Sequence, residues 1–368
     1  MSLIFCFGCI SLCGCRECVV RPLTFYPPRQ SGYGVIAPNE GAPLKCKKKR
    51  WRKNNDPYGP TKLIIMLRDD RKKLSIRVSD VLSLHCDGKL SCDHVLFPGD
   101  INGFYFKHST EVNPDRWTII FSHGNSTDIG YSWISYYYLA RHLKVDLIAY
   151  DYPGYGLNGG KPSESNTYTT IRAVYDFAIS SMGIPPSNII LYGQSIGSGP
   201  AVDLYTKVHV GGLILHSAIG SGLRVYKSYE RPRRTPWFDL YRNVEKLSDY
   251  FAEAGKSPPP IFIIHGTDDE EVPYEHGMLL AETITGDKDR RCAPGTTALY
   301  PPWWVKGGTH NDIETRYRDQ YYKRLKAYVR YLKMSPRPDL STLLSSTLAV
   351  QRHSSSSSEG SGVQACAQ

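Results

Sequence analysis

From residue 116 onward, short unbroken apolar runs alternate with longer stretches whose apolar residues recur at helical spacing. The runs at 116–122, 145–150, 188–192, 212–216, 260–264 and 298–305 read as strands covered on both faces, because they show no polar alternation. Residues 163–182 read as a helix, with Ile171, Val174, Tyr175, Ala178 and Met182 on one face and a stop at Gly183 and Pro185. Further helices are expected near 275–284 and over 312–332, the latter with Ile313, Tyr317, Leu325 and Leu332 in its stripe. Upstream, a strand pattern begins near residue 62, and Asp87-Gly88 signals a hairpin between two short runs. The alternation predicts an α/β protein with a mostly parallel central sheet flanked by helices.

Other segments break the rhythm. Residues 1–20 form an apolar, cysteine-rich head, and residues 21–60 a linker rich in Pro, Gly and basic residues. The folded domain is expected over 61–334. Its stretch 217–258, rich in Arg, Tyr and Trp, fits a small cap inserted between two strands. Residues 335–368, with five serines at Ser354–Ser358, read as a disordered tail.

Composition changes the picture little. Of 368 residues, 41% are hydrophobic and 22% charged, as in an ordinary globular protein. The formal charge of +10 points to an acidic partner surface, nucleic acid or anionic membrane. No apolar run reaches the roughly 20 residues that span a bilayer. Half of the ten cysteines crowd the head, a distribution unlike a disulfide-stapled domain and consistent with a reducing compartment.

The strongest chemical signal is Gly193-Gln194-Ser195-Ile196-Gly197 between the run Ile189–Tyr192 and the helical stretch Gly199–Val202. A serine on so tight a strand-to-helix turn needs small flanking residues. It is forced into a strained backbone with its Oγ exposed, and the N–H of the next residue, Ile196, faces a developing oxyanion. The competing reading is a glycine-rich turn with an incidental serine. A nucleophilic serine needs a base, and the base an orienting acid, in the chain order Ser, acid, His for the α/β-hydrolase fold. The run 261–264 ends in His265-Gly266-Thr267-Asp268-Asp269, and Asp269 is the candidate acid, with Asp268 the alternative. His310, in Gly307-Gly308-Thr309-His310-Asn311-Asp312 before the last helix, is the candidate base. The N–H of Asn125, after Ser122-His123-Gly124, is the expected second oxyanion donor. His123 and His265 read as structural. Asn125-Ser126-Thr127 also matches a glycosylation acceptor, but a glycan would block the site, so the match is read as chance. The histidines show no metal-ligand spacing, and neither metal nor cofactor is expected.

The head cysteines Cys6, Cys9, Cys13, Cys15 and Cys18 admit zinc binding, a signal peptide or S-acylation. The gaps are too short for a usual zinc module, and no positive residue precedes the apolar stretch as a signal peptide requires. S-acylation is the preferred reading, with Lys45–Lys53 and its seven Lys or Arg as a second attraction to anionic lipid. The rival for that basic run is a solvated linker or a nuclear import signal.

With these residues in hand, the chain resembles the α/β-hydrolase domain-containing protein 17 family over roughly residues 78–333 plus the head. The likeness is carried by Ser122-His123-Gly124-Asn125, Asp151-Tyr152-Pro153-Gly154-Tyr155-Gly156, Lys161-Pro162-Ser163-Glu164 and Gln194-Ser195-Ile196-Gly197-Ser198-Gly199. Further on come Leu223-Arg224-Val225, Phe238-Asp239, Asn243-Val244-Glu245-Lys246, His265-Gly266-Thr267 and Gly308-Thr309-His310-Asn311-Asp312. The resemblance implies a triad of Ser195, Asp269 and His310. It also implies a palmitoylated N-terminus and removal of palmitate from protein cysteines. The chain departs from the family pattern at Asp268-Asp269-Glu270-Glu271, at Ser126, over 93–115 and in its serine-rich tail.

The expected function is therefore thioester hydrolysis of S-palmitoylated proteins at the cytoplasmic face of plasma or endosomal membranes, by a monomer without a cofactor. The cap, with Trp237 and Phe238, is a candidate wall for an acyl trough. A lipase, esterase or serine peptidase would use the same triad, and a catalytically idle membrane adaptor is the rival from another class. Nucleic-acid binding is not expected, because the basic run is short, carries the single aromatic Trp51 and lies outside the fold.

Overall fold

Strands whose every residue is buried build the centre of the molecule. The computed structural model describes residues 16–36, 62–69, 72–77, 90–108, 116–226, 234–253, 258–286 and 298–335. Its elements are α1 (Arg16–Thr24), β1 (Tyr33–Ile36), β2 (Lys62–Asp69), β3 (Lys72–Arg77), β4 (Leu90–Phe97), β5 (Ile101–His108), β6 (Thr118–Ser122), α2 (Trp133–Leu143) and β7 (Asp146–Tyr150). They continue with α3 (Glu164–Ser180), β8 (Ile189–Gln194), α4 (Ser198–Tyr205), β9 (Gly212–His216), α5 (Gly222–Tyr226) and α6 (Asn243–Ala252). The chain then runs through β10 (Ile261–Gly266), α7 (Glu275–Thr285), β11 (Leu299–Val305), α8 (Ile313–Arg316) and α9 (Arg318–Met334). The described residues through Val329 form one compact unit; of a second unit, residues 330–335 are described and include the end of α9 at Met334.

Eight strands form one sheet in the order β11-β10-β9-β8-β6-β7-β5-β4. The six from β6 to β11 run parallel, while β5 joins β7 antiparallel and β4 joins β5 antiparallel. β6, β7, β9 and β10 are buried at every position, as covering of both faces requires. A separate antiparallel sheet, β1-β2-β3, joins residues on the N-terminal side.

The predicted helix at 163–182 forms as Glu164–Ser180. The Ser163 side chain caps it by accepting from the Asn166 N–H at 3.1 Å, and Ile171, Val174, Tyr175 and Ala178 are its buried face. The expected single last helix is divided at Tyr317 into α8 and α9. The β4–β5 hairpin turns at 98–100, where Gly99 and Asp100 take φ of +88° and +59°. Both positive values match the right-handed twist of the paired strands. The hairpin read at Asp87-Gly88 lies outside the described residues.

One difference changes the picture of the site. Part of the segment expected as linker is built into the fold: Phe25, Tyr33 and Val35 are buried, and Phe25 packs edge-on against Tyr241 with ring centres 6.3 Å apart. Aromatic and branched residues scattered among prolines carry no periodicity, so their distant partners, such as Tyr241 for Phe25 and Phe104 for Tyr33, leave no trace in the local pattern.

Candidate active site

Because β6, β8, β10 and β11 run parallel, the loops that follow them leave one edge of the sheet. These loops carry Gly124-Asn125, Ser195, Asp269 and His310.

The turn at Ser195 is as tight as its motif requires. Ser195 has φ +52°, a left-handed conformation that L residues enter at a cost of about 1–2 kcal/mol. A Cβ on Gly193 would lie 2.6 Å from the Ser198 Cα, and one on Gly197 would lie 2.1 Å from the Ser122 carbonyl oxygen. Both contacts are with backbone, so neither position admits a side chain without moving the main chain. The closeness of Gly197 to Ser122 also sets the loop after β6 beside Ser195. A Cβ on Gly124 would lie 3.9 Å from the Ser195 Cβ.

Ser195, His310 and Asp269 form a hydrogen-bonded row. His310 Nε2 lies 3.0 Å from the Ser195 Oγ, and His310 Nδ1 lies 2.8 Å from the Asp269 Oδ2. With Nδ1–H donated to the carboxylate, Nε2 faces the serine as an acceptor, the tautomer a general base needs. The acid and histidine loops are zipped together. Thr267 N–H donates to Val305 O at 3.0 Å, Asp268 N–H to Gly308 O at 2.9 Å, and Gly307 N–H to the Thr267 Oγ1 at 2.9 Å. A Cβ on Gly266 would meet the Gly308 oxygen at 2.2 Å, which is why glycines recur in both loops. Asp312 accepts from the Thr309 N–H at 2.7 Å and so fixes the turn that holds His310.

Asp269 is buried, whereas Asp268 is exposed and accepts from the Thr267 hydroxyl. Burial alone would raise the Asp269 pKa. Hydrogen bonds from His265, His310 and the Val272 N–H outweigh it and hold the carboxyl well below the usual carboxylate range. His265 is fully buried, its Nε2 lying 2.9 Å from the Val272 carbonyl and 3.3 Å from Asp269 Oδ2. Both neighbours are acceptors, which assigns the proton to Nε2. Sequence reading set His265 aside as structural and missed this support of the acid. Its place just ahead of the candidate aspartate at a strand end was the available signal.

His123 is also buried. Its Nδ1 donates to the Gly124 carbonyl at 2.7 Å, its Nε2 lies 3.4 Å from Asp151, and its ring packs on Tyr152. The ring thus locks the loop, as expected of it. The half-buried Asn125 has its amide engaged, with Nδ2 donating to Thr24 O at 2.6 Å. That engagement fits the reading of the glycosylation match as chance.

A cavity of about 370 Å³ opens at Ser195. Its wall combines Phe121, Tyr136, Leu139 and Tyr321 with polar groups that include Ser132, Ser135, Glu271 and Glu314. Trp237 and Phe238, expected to wall an acyl trough, do not line it. Helix α6, within the stretch expected as a cap, packs on α4 and α7, and Trp237 is exposed. Burial pushes the Glu314 carboxyl up to about 7 against hydrogen bonds from Ser135 and Gln194.

Cys6, Cys9, Cys13 and Cys15 lie outside the described residues, as does Lys45–Lys53; Cys18 falls in α1. No described helix is long and apolar enough to cross a membrane. Among the described residues, no group of three or more His, Cys, Asp or Glu is disposed to hold a metal.

Comparison with known proteins follows the same lines. The profile of the alpha/beta hydrolase family matches residues 119–329. The chain is 39% identical over 216 residues to alpha/beta hydrolase domain-containing protein 17C of Xenopus tropicalis, covering 59% of this chain and 62% of that protein. It is likewise 39% identical over 216 residues to the 17C protein of Homo sapiens, covering 59% of each. With protein 17B of Homo sapiens it shares 38% over 214 residues, or 58% of this chain and 66% of that one. The match thus spans about three-fifths of the length of these relatives. Among solved structures, an acylaminoacyl peptidase in complex with Z-Gly-Gly-Phe-chloromethyl ketone superimposes with a TM-score of 0.51 at 14% identity, over 77% of this chain and 48% of that one. That likeness concerns the fold alone. The elbow, the sheet order and the family profile agree: the chain belongs to the alpha/beta hydrolase family.

Proposed function

We propose that this chain is a serine hydrolase that removes palmitate from S-acylated proteins at the cytoplasmic face of membranes. The observation that carries the hydrolase reading is the row Ser195–His310–Asp269 at 3.0 and 2.8 Å, beside a cavity. In the reaction, Ser195 Oγ attacks the acyl carbonyl while His310 Nε2 takes its proton. Asp269 orients the ring and stabilises the imidazolium. The N–H groups of Ile196 and Asn125 receive the oxyanion. His310 returns the proton to the leaving thiolate, and a water it activates then hydrolyses the acyl-enzyme.

The palmitoyl-thioester substrate is supported by the likeness to the domain-containing protein 17 relatives and by the cysteine-rich head. In this reading the acylated cysteines Cys6, Cys9, Cys13, Cys15 and Cys18, with Lys45–Lys53, hold a monomeric enzyme on anionic lipid. The largely polar wall of the cavity favours a second reading, an esterase or peptidase acting on a less apolar substrate.

The test is release of palmitate from a palmitoylated peptide by purified wild type and Ser195→Ala, with a simple ester for comparison. Thioester turnover lost in Ser195→Ala supports the depalmitoylase. Turnover of the ester alone transfers the assignment to the second reading. Turnover of neither substrate argues for a non-catalytic membrane adaptor.

A further inference from the structure

The loop that carries the second oxyanion donor is held by the N-terminal segment. The Asn125 carboxamide makes three hydrogen bonds. Its Nδ2 donates to Thr24 O at 2.6 Å, while its Oδ1 accepts the Tyr26 N–H at 2.9 Å and the Tyr155 hydroxyl at 2.7 Å. Thr24 O and Tyr26 N–H belong to residues two apart, the spacing at which one edge of an extended chain presents an acceptor and a donor together. The carboxamide pairs with them as a neighbouring peptide group would. Among short side chains only Asn carries the donor and the acceptor on separate atoms, as a peptide group does. Asp offers no donor to Thr24 O, and Ala offers nothing.

The segment is itself fastened on both sides of this contact. Arg21 Nε donates to Pro162 O at 2.7 Å, Gly32 N–H to Asp128 Oδ2 at 2.7 Å, and the Tyr33 hydroxyl to Asp151 Oδ2 at 2.6 Å. The same two aspartates hold the chain after Asn125. Asp128 Oδ1 accepts the N–H groups of Gly130 and Tyr131 at 2.9 and 3.0 Å, and Asp151 Oδ1 accepts the Ile129 N–H at 3.1 Å. A Cβ on Gly130 would lie 2.4 Å from the Gly32 carbonyl carbon, so the two backbones touch. Loop 123–131 therefore cannot shift without the N-terminal segment.

We propose that Thr24–Tyr26, acting through the Asn125 side chain, positions the Asn125 N–H for the oxyanion. The segment that leads from the head cysteines would thereby set turnover as well as location. This rests on the serine-hydrolase reading and adds to it a positioning role for Asn125 and Tyr155. An oxyanion donor acts only where the negative charge develops. Displacement by an ångström therefore slows the chemical step more than it weakens substrate binding.

The test uses the full chain and p-nitrophenyl butyrate, a soluble ester whose hydrolysis does not depend on a membrane. In Asn125→Ala, kcat should fall about 10- to 100-fold with KM changed less than about 3-fold. Affinity for a trifluoromethyl ketone, whose adduct places an oxyanion in the same position, should fall in parallel. Tyr155→Phe removes one hydroxyl and keeps the ring. It should show the same pattern at about 3- to 10-fold, and it decides the matter if Asn125→Ala does not fold. Wild-type kcat in the folded variants, or a loss confined to KM, overturns the proposal while leaving the hydrolase reading intact. A wild-type chain that neither hydrolyses the ester nor is labelled at Ser195 by a fluorophosphonate overturns both.

Discussion

His265 Nε2 lies 3.3 Å from Asp269 Oδ2, the oxygen that also faces His310 Nδ1 at 2.8 Å, so one carboxylate oxygen serves two imidazoles. The Glu271 and Val272 N–H groups occupy its other oxygen at 3.0 and 2.8 Å. This crowding of donors identifies which of the two neighbouring aspartates orients His310. Asp269→Asn should lower kcat about 10²- to 10⁴-fold by upsetting the histidine tautomer. Asp268→Asn should stay within about 2-fold, since the exposed side chain keeps an oxygen to accept from the Thr267 hydroxyl and the backbone bond to Gly308 O is untouched. Steady-state kinetics of the two variants, side by side, checks the assignment. Equal losses would contradict it.

The turn at Ser195 stores backbone strain. Ser195 and an alanine in its place are both L residues at φ +52°, whereas glycine enters that region freely. Ser195→Gly should therefore melt at a higher temperature than Ser195→Ala, by a difference equivalent to about 1 kcal/mol. Both variants should be inactive. Equal melting temperatures would mean that the turn relaxes when the hydroxyl is removed.

The opposite effect is expected at Gly197. A methyl group there would sit 2.1 Å from Ser122 O, and Ser122 lies inside the sheet, paired with both Tyr150 and Gly193. Gly197→Ala should destabilise the fold by about 2–3 kcal/mol and abolish activity. Denaturant unfolding beside wild type measures the first part. A variant of wild-type stability would show that the β6 and β8 loops can separate.

Glu314 gives stability a pH dependence. Burial raises its folded pKa to about 7, above the ordinary value of 4.5. Between these values the native state binds more protons than the unfolded state. This contribution is full below about pH 4.5 and is lost as pH rises through 7. Glu314→Gln should remove that loss, making the variant more stable than wild type at pH 8 than at pH 5 by on the order of 2 kcal/mol. Parallel stability–pH curves for the two proteins would exclude the effect.

The sheet, the elbow and the chain order of Ser195, Asp269 and His310 were legible without coordinates. A nucleophile on a tight turn needs glycine two residues before and two after it, and a two-faced sheet needs unbroken apolar strands. Both are constraints between near neighbours. The choice of Asp269 over Asp268 needed the fold, because both follow the same strand and only burial separates them. The absence of Trp237 and Phe238 from the wall of the cavity at Ser195 needed it too, since that stretch carries α6, which packs on α4 and α7.

The N-terminal segment marks the boundary most sharply. Sequence alone determined that residues 21–60 lack periodic hydrophobicity, which made them look like a linker. Only the tertiary structure places Tyr26 on Asn125 and Tyr33 on Asp151, contacts between residues 99 and 118 positions apart. Hydropathy patterns record which face of an element is buried. They carry no record of which distant backbone N–H a given amide or carboxylate will meet.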